Sequence, residues 1–278
     1  MSQTDQRTQQ SAHQEPAEDT GPGGHRIEVT DSAAIPDKSD KGLFTAWRVS
    51  AFGAIGLIIL LCLIKPDPYV DILLFVPDGV LVTFEVTMLS ILLSLIVGLI
   101  TGLGRLSGNT FINLTASTYV EVVRGIPLLV QLFYIYYAIG TFTQIPPFTA
   151  AIIALTVCYG AYMGEIFRAG IDSIDHGQTE AARSLGFSSW QTMRFVIIPQ
   201  AMRTILPPVG NEFIALLKDT SLVSIIAVSD LLRRGREFAT STFDYFETFT
   251  LVALIYLLIT LFLSKIVNIM ENRLTPYE

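Results

Sequence analysis

Only a handful of side chains in this sequence could do chemistry, and most of them interrupt apolar runs long enough to cross a membrane. Glu165 and Arg168 stand three residues apart in one such run. That spacing puts a carboxylate and a guanidinium on one helix face. Ionisable groups at membrane depth are costly and turn toward a bundle interior or a water-filled cavity, so the pair is either a structural ion pair or a gate. Glu121 and Arg124 repeat the spacing and read as anchoring at the interface. Gln131 and Tyr134 share a helix face, while Asn211 and Glu212 follow Pro207 and Pro208. Paired prolines remove backbone donors and are expected to kink or break their helix. Backbone exposed in that way is tolerated only against protein or a water-filled cavity. The stretch from Pro207 to Ser221 is therefore the expected lining of a path for a polar solute. Lys218, Asp219, Thr220 and Ser221 offer groups there for a carboxylate and an amine. The plainer alternative is that Lys218 snorkels to the interface.

Other chemistries lack their parts. Cys62 and Cys158 lie in separate apolar runs, and His13, His25 and His176 form no ligand pattern, so no metal site and no cofactor are expected. There is no G-x-x-x-x-G-K-[ST] phosphate loop and no nucleophile elbow. The chain is not expected to be an enzyme or to hydrolyse ATP itself. Most of the net charge of −7 falls in the first 42 residues, and no basic field invites nucleic acid.

The elements that must position these residues are helices in a bilayer. Of the 278 residues 51 % are hydrophobic and only 15 % charged, well below the roughly 25 % charged of a soluble domain. Residues 1–42 are polar and read as a disordered tail. The 19 residues from Ala46 to Ile64 match the ~30 Å hydrocarbon thickness at 1.5 Å per residue. Further spans are expected at about 80–103, 126–142, 148–168, 195–217 and 248–269, giving about six in an all-α integral membrane fold. Gly98 with Gly102, and Gly160 with Gly164, have the small-xxx-small spacing that lets membrane helices approach closely. Six spans put both termini on one side, and the lysine and arginine bias makes that side the cytoplasm. The cluster Arg233, Arg234 and Arg236 falls outside and counts against this. No internal repeat of the kind common in secondary transporters is evident.

One cytoplasmic segment is polar where its flanks are apolar: Thr179 to Pro199, TEAARSLGFSSWQTMRFVIIP. It reads as a helix over 179–186, a left-handed break at Gly186, and a capping box from Ser188 to Gln191 that starts the next helix. Glu180, Ala181 and Ala182, then Gly186, then Val196, Ile198 and Pro199 resemble the EAA–G–I–LP signature of membrane subunits of binding-protein-dependent ABC importers. Val196 and Ile198 stand where that signature usually has Ile and Leu. The stretches YVEVVRGIPLLVQLFYIYY from Tyr119, AYMGEIFRAGI from Ala161 and LLKDTSLVSII from Leu216 are similar to permeases of the polar amino-acid branch of that family.

The resemblance implies a five-helix type I importer permease core (MetI-like) over 78–272, with Ala46–Ile64 as an extra N-terminal span. It implies a permease subunit in a bacterial inner membrane, importing polar amino acids. A separate ATPase would dock at Glu180, Ala181, Ala182, Gly186 and Pro199. A second permease copy or homologue and an extracytoplasmic binding protein would complete the machine, with the bilayer around it. The rival is a secondary transporter driven by an ion gradient, for which Glu165 and Glu212 are the candidate carboxylates. An intramembrane enzyme would need a paired nucleophile and base, which the sequence lacks.

Overall fold

Gly98 and Gly102 on one helix meet Gly160 and Gly164 on another, so the two pairs expected separately form a single interface. A computed structural model describes residues 45–274; the tail expected over 1–42 lies outside them. The two helices are α3 (Pro77–Arg105) and α6 (Pro147–Asp172), the most extensively packed pair in the fold. A Cβ on Gly102 would stand 2.8 Å from Phe167 Cβ and 2.9 Å from the Gly164 carbonyl, one on Gly160 2.6 Å from Val97, and one on Gly98 against Met163 Cβ. With backbones this close, dispersion rather than water exclusion holds the pair, as suits helices in lipid. Buried hydroxyls on α3 turn back on their own helix: Thr87 donates to the Thr83 carbonyl at 2.6 Å and Thr101 to that of Val97 at 2.7 Å.

Around this pair lie α1 (Ala46–Ile64), α2 (Pro66–Phe75), α4 (Thr110–Gly125), α5 (Leu128–Phe133), α7 (His176–Ser184), α8 (Ser189–Thr192), α9 (Ile198–Asp219), α10 (Leu231–Thr242) and α11 (Tyr245–Leu274). Among the described residues four helical runs are long and apolar enough to span: Ala46–Ile64, Pro66–Arg105, Pro147–Asp172 and Tyr245–Leu274. The span expected at 126–142 is helical over Leu128–Thr141, which at 1.5 Å per residue is too short to cross alone. Instead Thr110–Gly125 and Leu128–Thr141 make a pair bent by 101°, a fifth crossing if taken together. Pro127 is the cause. It holds Ile126 extended at φ −108°, ψ 128°, as a residue before proline prefers. Beyond α5 the chain loosens into a π-turn, Tyr134–Ala138, and a 3₁₀ turn, Ile139–Thr141.

Pro207 and Pro208 do not break their helix. α9 is continuous from Ile198 to Asp219 with both prolines inside it. They leave the Arg203 and Thr204 carbonyls without i+4 donors. Packing against α6 and α11 holds the rod together, with Gly170 seated on Ile205 and Gly210 on Val267.

The arginines of α10 are all engaged. Arg233 pairs with Glu237 at 2.9 Å, Arg234 with Asp78 at 2.7 Å and Glu237 at 3.1 Å, and Arg236 donates to the Ser224 carbonyl at 3.1 Å. Their charge is spent on local contacts, so they weigh less in the orientation bias than a bare count gives them. The helix is capped by Asp230, fully buried, which accepts from the Leu232 and Arg233 amides and from the Tyr256 hydroxyl.

Burial pushes the Asp230 carboxyl up from 3.8 to about 6, against the lowering effect of those donors. Its protonated form favours the fold. The stabilisation is complete below 3.8 and is lost as pH rises through about 6, by up to about 3 kcal/mol. Asp230→Asn keeps a cap acceptor without the charge. Thermal unfolding in detergent should show it gaining on the wild type across that window, with Asp230→Ala about 1 kcal/mol below Asp230→Asn at any pH for the lost cap.

The glycine interface makes its own prediction. Gly98→Val should cost about 1–3 kcal/mol or more by overpacking. Gly53→Val on α1, where an added Cβ meets nothing within 4 Å, should stay within about 0.5 kcal/mol of the wild type. Melting temperatures of the two purified variants check this.

Candidate functional site

The polar segment after α6 folds as two capped helices joined at a glycine. Asp175 starts α7 by accepting from the Gly177 amide at 2.7 Å, so the helix runs His176–Ser184 rather than 179–186. The Asp175 cap was legible but lay outside the stretch singled out. Gly186 has φ +86°, a region that disfavours side chains. Its amide reaches the Arg183 carbonyl at 3.0 Å, and that of Phe187 reaches Ala182 at 3.1 Å, closing the helix as a left-handed cap does. The capping box forms: Ser188 Oγ accepts from the Gln191 amide at 3.3 Å, and Gln191 Oε1 from the Ser188 amide at 2.8 Å. Arg183 donates to Ser189 Oγ across the joint.

The surface this makes is mixed. Glu180, Ala181 and Pro199 are exposed and Ala182 is buried. Leu185, Trp190 and Phe195 stand 80 %, 66 % and 63 % exposed beside them. These three large apolar side chains were not singled out from the sequence. Their signal was their position in a segment that is otherwise polar.

The residues expected to line a path divide between two places. Gln131 is a staple for the bent span. Its Nε2 donates to the carbonyls of Val123 and Ile126 at 2.8 Å each; that of Val123 otherwise has only a long 3.4 Å bond from the Ile126 amide. Tyr134 is exposed beside it, on a nearly apolar cavity of about 360 Å³ that also touches Val130 and Ile135. Glu121 and Arg124 do not pair; Arg124 lies over the Tyr162 ring at 5.1 Å. Glu212, half-buried, has Arg124 and Asp219 as its charged neighbours. Asp219 accepts from the Tyr159 hydroxyl at 2.8 Å.

Seven residues separate Asn211 from Lys218, so both fall on a different side of α9, and both are exposed. Lys218 and Ser221 line a second cavity, of about 350 Å³, with Leu232, Phe249, Val252 and Tyr256. Thr220 is not part of it. It is fully buried and its hydroxyl donates to the Leu217 carbonyl at 2.7 Å.

Glu165 and Arg168 do pair, at 2.6 Å, and Arg168 also reaches Asp172 at 3.0 Å. The sequence did not reveal the third member: Arg105, from the end of α3, shares the Glu165 carboxylate. Two guanidiniums hold it from two helices.

Residues 67–276 match the family described as "Binding-protein-dependent transport system inner membrane component". The chain belongs to this family. It is a transmembrane permease subunit, a component that does no chemistry of its own. It is 40 % identical over 200 residues to the glutamine transport system permease protein GlnP of Escherichia coli K12, covering 71 % of this chain and 91 % of that one. The L-cystine transport system permease protein TcyB of Bacillus subtilis is also 40 % identical, over 201 residues covering 72 % and 86 %. Among solved structures, an amino acid ABC transporter crystallised with histidines is 43 % identical, with TM-score 0.71 over 73 % of this chain and 96 % of that one. An inward-facing methionine transporter, MetNI, shares the fold at 20 % identity and TM-score 0.63, over 74 % and 99 %. The permease is thus an all-α, multi-span membrane fold related to the MetI-like core. α1 precedes the matched region.

Proposed function

We propose that this permease imports polar amino acids across the bacterial inner membrane, driven by ATP hydrolysis in separate subunits that dock on α7. The observation that carries the coupling is the solvent-exposed, doubly capped segment from His176 to Thr192. It presents Glu180, Ala181, Leu185 and Trp190 outside the apolar runs of a chain that has no phosphate loop of its own. The cargo class rests on relatives named for glutamine and L-cystine. An extracytoplasmic binding protein delivers the cargo, and a second permease copy or a homologue completes the path. Residues 78–272 form the transport core and Ala46–Ile64 is an added span, with tail and C-terminus cytoplasmic.

α9 is the sixth crossing in this reading. Its 22 residues are long enough at 1.5 Å each, and helices on both sides shelter its polar groups from lipid. The side with exposed Asn211 and Lys218 and half-buried Ser221 then faces the path rather than the bilayer, because an unshielded ammonium in hydrocarbon is costly. Gln131 and Thr220 support the walls instead. Glu165 sits between two arginines, which suits a fixed ion pair better than a proton-coupling carboxylate.

Replacing Gly186 by Lys tests the docking. The left-handed backbone there costs an ordinary residue about 1–2 kcal/mol, and open space around it lets the chain insert. Expected are normal membrane levels, loss of co-purifying ATPase and loss of uptake; uptake at the wild-type rate refutes the assignment. A second test uses single cysteines. Those at 218 and 221 should react with water-soluble thiol reagents and be protected by a transported amino acid, whereas one at 220 should stay unreactive. Labelling at 218 and 221 that no amino acid alters moves the path elsewhere.

A further inference from the structure

One polar layer ties the ends of three helices together beside the docking segment. Asp172, the last residue of α6, accepts from Arg168 at 3.0 Å, and Arg168 donates to Glu165 at 2.6 Å. Arg105 at the end of α3 donates to the other Glu165 oxygen. The Arg105 carbonyl accepts from Asn113 Nδ2 on α4. The chain of contacts thus runs α6, α3, α4 at a single level. Arg105 is only 17 % exposed, and its Nε is buried without a partner, so Glu165 is what holds its guanidinium. The layer abuts the tightest part of the fold: a Cβ on Gly102 would lie 3.3 Å from the Arg168 amide nitrogen. Helices at backbone contact leave no aperture for a solute there, which argues against a gate.

The position of the layer suggests its use. Three residues after Asp172, Asp175 caps α7, so α7 is joined covalently to the turn of α6 that carries the ion pairs. Its other links are to the start of the next span, through the 193–197 turn and an exposed Gln200–Gln178 bond of 3.3 Å. We infer that Arg105, Glu165 and Arg168 are a transmission joint, positioning residues that make α3, α4 and α6 move together when the docked ATPase displaces α7. This rests on the reading of α7 as the docking helix. A displacement of the α6 end passes to α3 and α4 only while Glu165 holds both arginines. Without the shared carboxylate, α7 moves and the outer helices lag.

Glu165→Gln in the assembled transporter, reconstituted with its ATPase and binding protein in proteoliposomes, tests the joint. Expected are normal assembly and near-normal ATP hydrolysis, with uptake per ATP hydrolysed reduced about tenfold, within the roughly 5- to 150-fold span of inter-site couplings. Wild-type uptake per ATP overturns the inference. So does a proportional fall in assembly, hydrolysis and uptake, which marks a purely structural role. If the variant does not assemble, Arg105→Met, which removes the donor that α3 offers to Glu165, decides in the same way: reduced uptake per ATP supports the joint, and an unchanged ratio overturns it. Co-purification of the ATPase with the Gly186→Lys chain separates the two ideas, because retained association there removes the docking reading itself.

Discussion

The contact on which the rest depends is the backbone approach of α3 and α6. In lipid, apolar side chains gain nothing by leaving their surroundings, so helices associate by dispersion and by interhelical hydrogen bonds. Four glycines provide the first. They also fix the register between the two helices, because Gly102 can sit only against Gly164 and Phe167. With the register set, Arg105 falls opposite Glu165, and Tyr119 of α4 reaches over Gly160 to the Val157 carbonyl at 2.6 Å. A slip of one helical turn would separate every one of these partners.

A second constraint follows from the medium. Every carbonyl that an irregular helix end leaves unpaired must find a donor inside the protein. Asn113 reaches the Arg105 carbonyl at the end of α3, and Gln131 the Ile126 carbonyl just past α4. Polar side chains at depth are thus largely occupied in repairing the backbone. Asn211 and Lys218 on α9 are exposed instead, and in the proposed reading that exposure, rather than polarity alone, separates a path from a wall.

Local features were legible in the sequence and partners across the bundle were not. The capping box at Ser188 and Gln191, the left-handed Gly186, the glycine pairs and the Glu165–Arg168 turn each depend on residues within a few positions of one another. Arg105 as a partner of Glu165 is 60 residues away, and nothing in either neighbourhood announces it. Gln131 reads from the sequence as part of the helix face it shares with Tyr134, and its acceptors, the Val123 and Ile126 carbonyls, lie on the other side of the Pro127 bend. Proline misled in both directions. Pro127 bends the chain because its neighbour is a helix end with room to turn, whereas Pro207 and Pro208 do not, because packing on both sides of α9 outweighs two lost hydrogen bonds of roughly 1 kcal/mol each. Similar residues have different outcomes, and only the tertiary surroundings decide between them.

The same reasoning locates the added helix. α1 is fastened to α11 at its two ends: Trp47 donates to the Leu261 carbonyl at 2.8 Å, and Lys65, just beyond the helix, pairs with Glu247 at 2.9 Å. Glu247 and Leu261 are 14 residues apart, nearly four helical turns, and so lie on about the same face of α11. Phe249, Val252 and Tyr256, the α11 wall of the Lys218 cavity, project from the opposite face. The extra span therefore covers α11 without covering the proposed path, and it touches none of the four glycines that set the core. In the proposed reading, the face to which α1 is pinned is one that neither coupling nor passage requires, so such a helix leaves the mechanism unchanged.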